Sequence, residues 1–168
     1  MAFTGPSRVA RAYRILGSIE AVGDDGLPCK IARGRERALL ALLLVQYGAV
    51  VSLEEAVNAL WATALPDHPE NALHVVVARL RATLGRDAIV TEASGYALRP
   101  ATGTLDAERA SALHEQGTAA LAAGDPASAA TVFRDALVLW RGPSLADVRG
   151  EPFAQAEDLI ALMPIELE

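Results

Sequence analysis

The chain has 168 residues, 52% of them hydrophobic, and a positive mean hydropathy; this excludes a disordered polypeptide and allows one medium domain or two small ones. No apolar run reaches the roughly 18 residues a membrane span needs, the longest block being Ala38 to Val45, and Cys29 is alone, which rules out an internal disulfide or a thiolate zinc cage. The net charge of −6 is unevenly spread: residues 1–100 carry 11 Arg and Lys against 10 Asp and Glu (+1), whereas residues 101–168 carry 4 against 11 (−7), which points to two modules with different partners.

Residues 1–11 hold Arg8 and Arg11 without an apolar signal core and read as a flexible arm, so a soluble cytoplasmic protein is expected. Tyr13 to Val22 alternates in part and reads as a strand. Gly23-Asp-Asp-Gly26 is a turn, and Leu27 to Ala32 is expected to return as a second strand. Arg35 to Tyr47 is the clearest helix, with Leu39, Leu42 and Leu43 at helical spacing and Gly48 as its stop. Its apolar residues run nearly all round, which places it at the centre of a core. After the short apolar pair Val50-Val51, Ser52-Leu-Glu-Glu55 matches a capping box: the Ser52 hydroxyl caps the helix and Glu55 reaches back to the Ser52 amide. That second helix runs through Val57, Leu60 and Trp61.

A third helix spans Glu70 to Leu84, with Pro69 in its opening turn. Leu73, Val77, Leu80 and Leu84 form its apolar stripe, and Asn71, His74, Val75, Ala78, Arg79, Arg81 and Ala82 fall on the other faces. Ala88 to Glu92 and Tyr96 to Arg99 make a hairpin around a Gly-containing turn. Residues 101–104 read as a linker. Leu105 to Ala123 and Pro126 to Trp140 read as alanine-rich helices separated by Gly124-Asp-Pro126, an antiparallel pair of the tetratricopeptide kind. A last helix from Phe153 is interrupted by Pro164. The expected fold class is therefore α+β: a winged helix-turn-helix with a small antiparallel sheet, three helices and a C-terminal hairpin wing over 12–100, followed by an all-α helical domain over 105–168.

In that order the motifs resemble a known family. Arg33-Gly-Arg-Glu-Arg-Ala-Leu-Leu-Ala-Leu-Leu-Leu44 is similar to the first helix of the Streptomyces antibiotic regulatory protein family, and Val51-Ser52, Ala59-Leu-Trp61, Asn71-Ala-Leu73, Arg79-Leu-Arg81 and Gly95-Tyr96 follow in sequence. Ala122-Ala-Gly-Asp-Pro126, Ala136-Leu-Val-Leu-Trp-Arg-Gly142 and Glu151-Pro-Phe153 resemble that family's bacterial transcriptional activator domain. The resemblance implies an OmpR-type winged helix whose third helix enters the major groove of double-stranded promoter DNA, with the wing near the minor groove. It further implies recruitment of RNA polymerase to genes of secondary metabolism. The tail is shorter than the family's activator domain; either the chain is cut short or it is a minimal member, in which case Leu159, Ile160, Leu162 and Ile165 offer a surface for a homodimer or simply close the helical domain.

DNA binding needs cations on one surface for phosphates and side chains that reach base edges. Asn71, His74 and Val75 stand early on the outer side of the third helix, where bases are read, and Arg79 and Arg81 suit phosphates or guanine. Arg33, Arg35 and Arg37 at the start of the first helix, and Arg99 at the end of the hairpin, suit phosphates. Each also has a plain reading: arginines on a polar helix face are commonly just solvated, a lone helical histidine is commonly structural, and Asn71 can bond locally near the helix start.

Some positions depart from the family pattern. Val76, Ala78 and Ala82 stand where relatives carry polar or basic residues, Glu92 stands in the hairpin where arginine is common, and Ala62 follows Trp61 in place of glycine. These departures support a second reading, a degenerate winged helix that no longer binds DNA and serves as a protein-interaction module. An enzyme is not expected, nor is a cofactor: His68, His74 and His114 lack metal-ligand spacing, no Gly-rich phosphate loop follows a strand, and Ser52 has no base beside it.

Overall fold

The computed structural model describes residues 10–148 except 63 and 100–103. The element order is β1 (Ala10–Arg14), β2 (Glu20–Gly23), α1 (Arg35–Val45), β3 (Val51–Ser52), α2 (Leu53–Trp61), α3 (Pro69–Leu84), β4 (Ile89–Glu92), β5 (Gly95–Leu98), α4 (Asp106–Ala122) and α5 (Pro126–Leu137). β1 and β2 form an antiparallel pair, and a second antiparallel sheet has the order β3-β5-β4. The α+β class, the three-helix core and the C-terminal hairpin all agree with the sequence.

The N-terminal sheet differs from the expected one. The run Tyr13 to Val22 is not one strand, because it breaks at Gly17, whose φ of 140° few side chains adopt. β1 takes only Tyr13 and Arg14 of that run and β2 Glu20 to Val22, with residues 15–19 turning between them, and β1 reaches back into the expected arm at Ala10 and Arg11. Leu27 to Ala32 does not return as a strand; Pro28 forms a single bridge to Val22, and Pro cannot donate to a ladder. Residues 1–9 and the expected helix from Phe153 lie outside the described residues. Of the expected linker only Thr104 is described, and its carbonyl accepts from the Tyr13 amide at 2.7 Å.

α1 runs through the middle of the core, with Leu39 to Leu44 all buried, as its all-round apolar sequence requires. Ser52 caps α2, its hydroxyl accepting from the Glu55 amide at 3.1 Å. The other half of the capping box is not made: the Glu55 carboxylate turns to the Gln46 side-chain amide at the end of α1. Gly95 lies where a Cβ would come within 1.9 Å of the Val51 carbonyl oxygen, so β3 and β5 approach closely only because no side chain intervenes. In the tail, Gly117 of α4 faces Phe133 of α5 in the same manner, a Cβ there meeting the ring at 2.4 Å.

The tail is fastened to the N-terminal turn. Asp106, 9% exposed, accepts from the backbone amides of Ile15 at 2.8 Å and Leu16 at 3.0 Å. Burial pushes its carboxyl above the ordinary carboxylate range, outweighing the downward pull of those two amides and of Arg141. Arg141 donates to the Ser18 carbonyl and pairs with Glu20 at 2.9 Å, and Asp147 accepts from the Ile19 amide at 2.9 Å.

Two outcomes follow for stability. Gly95→Ala forces β3 and β5 apart and should lower stability by about 3 kcal/mol or more, read as a lower urea midpoint. Tyr13 is 3% exposed, and burial, with lesser contributions from Cys29 and Tyr47, raises its phenol from 10.0 to about 12. The folded state therefore holds that proton more tightly than the unfolded chain, so the associated stability is complete below pH 10 and is lost as pH rises toward 12. The expected loss is about 2 to 3 kcal/mol; urea titrations at stepped alkaline pH should show a shallower loss for Tyr13→Phe.

Candidate nucleic-acid interface

α3 starts at Pro69, whose missing amide is no loss in a first turn, and ends at Gly85 with φ of 106°. Its buried side is wider than the four-residue stripe, because Val76 joins Leu73, Val77, Leu80 and Leu84 in the core. Val76 is 6% exposed, so its apolar character serves packing and marks no lost polar contact. That removes one of the departures from the family pattern.

The opposite side of α3 is open. Asn71, His74, Val75, Ala78, Arg79 and Ala82 are all exposed, Val75 to 50%. The His74 ring meets Tyr96 of β5 edge-on, with centroids 6.4 Å apart. Beside Val75 and Arg79 lies an open groove of about 860 Å³ between α3, the α2–α3 loop and the start of α1, lined among others by Arg33, Arg35, Glu36 and Trp61. Arg33 is exposed, and Arg35 lies over the Trp61 ring at 5.1 Å, a stacking that restrains the guanidinium while leaving it at the surface. Arg79 is 67% exposed in its side chain and only loosely paired with Glu36, at 3.7 Å. These three arginines border one surface with the outer face of α3.

The remaining arginines are placed otherwise. Arg37 points away from that surface: it donates to the carbonyls of Ile19 and Ile31 and pairs with Asp147, with its side chain only 20% exposed. It is a structural tie between α1, the N-terminal turn and the tail, and its spacing from Arg33 and Arg35 gave no sign of this. Arg81 is also held within the fold, donating from Nε and Nη2 to the Ile89 carbonyl and from Nη2 to Thr91 Oγ1. Its guanidinium lies 5.8 Å from the Tyr96 ring, and burial pushes the Tyr96 phenol up while the Arg81 charge pulls it back. The expected free contact at Arg81 is thus a bridge from α3 to the wing. Arg99 is exposed and pairs with Glu92 at 2.5 Å, so the wing carboxylate has a cation against it. Among the described residues no group of three or more His, Cys, Asp or Glu could hold a metal, and no helix is long and apolar enough to cross a membrane.

Known proteins match both halves of this arrangement. Residues 31–98 match the family described as transcriptional regulatory protein, C terminal, and residues 105–159 match the bacterial transcriptional activator domain. The protein carries, in one chain, the two domains found in regulators of the Streptomyces antibiotic regulatory protein family. It is 37% identical over 149 residues to the regulatory protein AfsR of Streptomyces coelicolor, covering 88% of this chain and 15% of AfsR. It is 37% identical over 125 residues to the transcriptional regulator RedD of the same species, covering 70% of this chain and 35% of RedD. In structure it resembles Mycobacterium tuberculosis EmbR, solved in complex with a low-affinity phosphopeptide, with a TM-score of 0.83 and 29% identity over 92% of this chain and 42% of that one. The chain therefore spans less than half the length of these relatives, all of them named as regulators or solved as one.

The geometry distinguishes the arginines by role. Arg37→Ala should lower stability by about 2 to 3 kcal/mol, because it strands two carbonyls and a carboxylate, whereas Arg33→Ala should change it by no more than about 0.5 kcal/mol. Urea denaturation of the two variants side by side checks this.

Proposed function

We propose that this chain is a sequence-specific regulator that binds double-stranded promoter DNA with α3 in the major groove. The observation that carries the reading is the open outer face of α3, bordered by Arg33, Arg35 and Arg79 on a domain of transcription-regulator type. Asn71, with an amide suited to adenine, His74 and Val75 stand in the first half of the helix and read base edges. Arg33, Arg35, Arg79 and, from the wing, Arg99 meet phosphates. The acidic helical tail repels DNA and serves protein contacts instead: RNA polymerase at promoters of secondary metabolism, and a second copy of the chain. Such a protein works in the cytoplasm, without cofactor or catalysis.

One set of features supports the second reading, a protein-interaction module. Ala78 and Ala82 leave part of the outer face of α3 without donors, and Glu36 and Glu92 draw charge from Arg79 and Arg99.

Fluorescence anisotropy with labelled duplexes from the protein's own upstream region, beside a scrambled duplex and over several salt concentrations, separates the two. DNA binding predicts selective, saturable binding with a salt slope near the number of phosphate contacts. Arg79→Ala should reduce that slope by about one unit and weaken all duplexes alike. Asn71→Ala should cost about 1 to 3 kcal/mol on the preferred duplex alone. A folded sample that binds no duplex at about 50 mM salt would overturn this reading in favour of the interaction module.

A further inference from the structure

We infer that Arg81 is a positioning residue for DNA recognition, a brace that holds the wing at a set distance from α3 instead of touching DNA itself. This rests on the proposed DNA-binding reading.

β4 is the outer strand of the sheet, with β5 on one side only, so its other edge presents backbone groups without a ladder partner. Arg81, one turn before the end of α3, covers that edge with two donors on the Ile89 carbonyl, at 3.0 and 2.8 Å, and one on Thr91 Oγ1 at 2.8 Å. The planar guanidinium makes this a fixed fork. Tyr96 adds a second strut: it lies under Arg81 at 5.8 Å and meets His74, on the reading face of α3, edge-on. The hairpin is otherwise anchored through β5, whose Tyr96, Ala97 and Leu98 are buried, and through Ile89 at its base. Pairing with the two-residue β3 and the Leu53 amide on the Ser94 carbonyl, at 3.2 Å, anchor it too, while Val90 and Thr91 of β4 are exposed. Among the described residues, the fork is what ties the outer edge of β4 to the helix it serves. Major-groove reading and wing contact are therefore mechanically coupled through one side chain whose Nε and Nη2 donors are already occupied.

The test compares two duplexes. The long one extends under the wing, and the short one ends after the bases read by α3. Wild type should bind the long duplex more tightly. Arg81→Ala, held well below its melting temperature, should match wild type on the short duplex and lose about tenfold on the long one, the worth of one or two contacts. Arg81→Lys, which keeps the charge but not the fork, should recover part of that loss. Equal losses on both duplexes would make Arg81 a direct contact, and no loss on either would make it merely structural; each overturns the brace. In the free protein, amide hydrogen exchange over Ile89–Glu92 should accelerate in Arg81→Ala, and unchanged exchange overturns the brace without reference to DNA. If wild type binds neither duplex, the DNA reading fails, and the exchange result alone decides the brace.

Discussion

Between β1 and β2 the backbone of residues 15–19 turns inside the molecule, where its amides and carbonyls have no strand to pair with. Such groups must find partners or destabilise the fold. The partners come from far along the chain. Asp106 takes the amides of Ile15 and Leu16, and Asp147 takes that of Ile19. The amides of Leu145, Arg141 and Ala146 reach the carbonyls of Ile15, Leu16 and Gly17, while the Arg141 and Arg37 side chains reach those of Ser18 and Ile19. A carboxylate as enclosed as Asp106 is expensive to desolvate, and its two amide donors are what make it tolerable there. The winged helix and the helical tail are in this sense one structure, joined by satisfied backbone groups as well as by the apolar contacts of Leu105, Leu145 and Val148.

That seam also sorts the arginines. Arg37 and Arg141 belong to it, and Arg81 belongs to the wing, so three cations are spent on holding elements together. Arg33, Arg35 and Arg79 stay at one surface beside the open side of α3. Sequence position does not separate the two groups: Arg35 and Arg37 are two residues apart on one helix, yet one stacks on Trp61 at the surface and the other is enclosed.

What could be read in advance was whatever local periodicity and punctuation determine. α1, α2, α3, the wing and the α4–α5 pair were legible from helical spacing, the Ser52 cap, Pro69, Gly48 and the Gly-containing turns, because each signal acts within a few residues. The N-terminal sheet is not legible locally, because its decisive bonds join Ile15 and Leu16 to a residue about 90 positions away. Without Asp106 in view, Tyr13 to Val22 looks like one strand. On α3 the exposed face was legible from its spacing, but Val76 and Arg81 were not. Val76 lies at the margin of the stripe, where neighbouring α1 decides burial, and the fate of Arg81 depends on an Ile89 carbonyl that only the tertiary fold brings near.

The N-terminal turn has a bearing on how the chain is made. Its partners at 141, 145, 146 and 147 leave the ribosome only after nearly the whole described chain has been synthesised. Contacts of such sequence separation are slow to form, because a long loop must close before they reward it. The three-helix core can gather early around Leu39–Leu44 through nearer contacts, while residues 15–19 wait with unsatisfied backbone. During translation the turn at residues 15–19 is thus among the last parts of the described chain to fold.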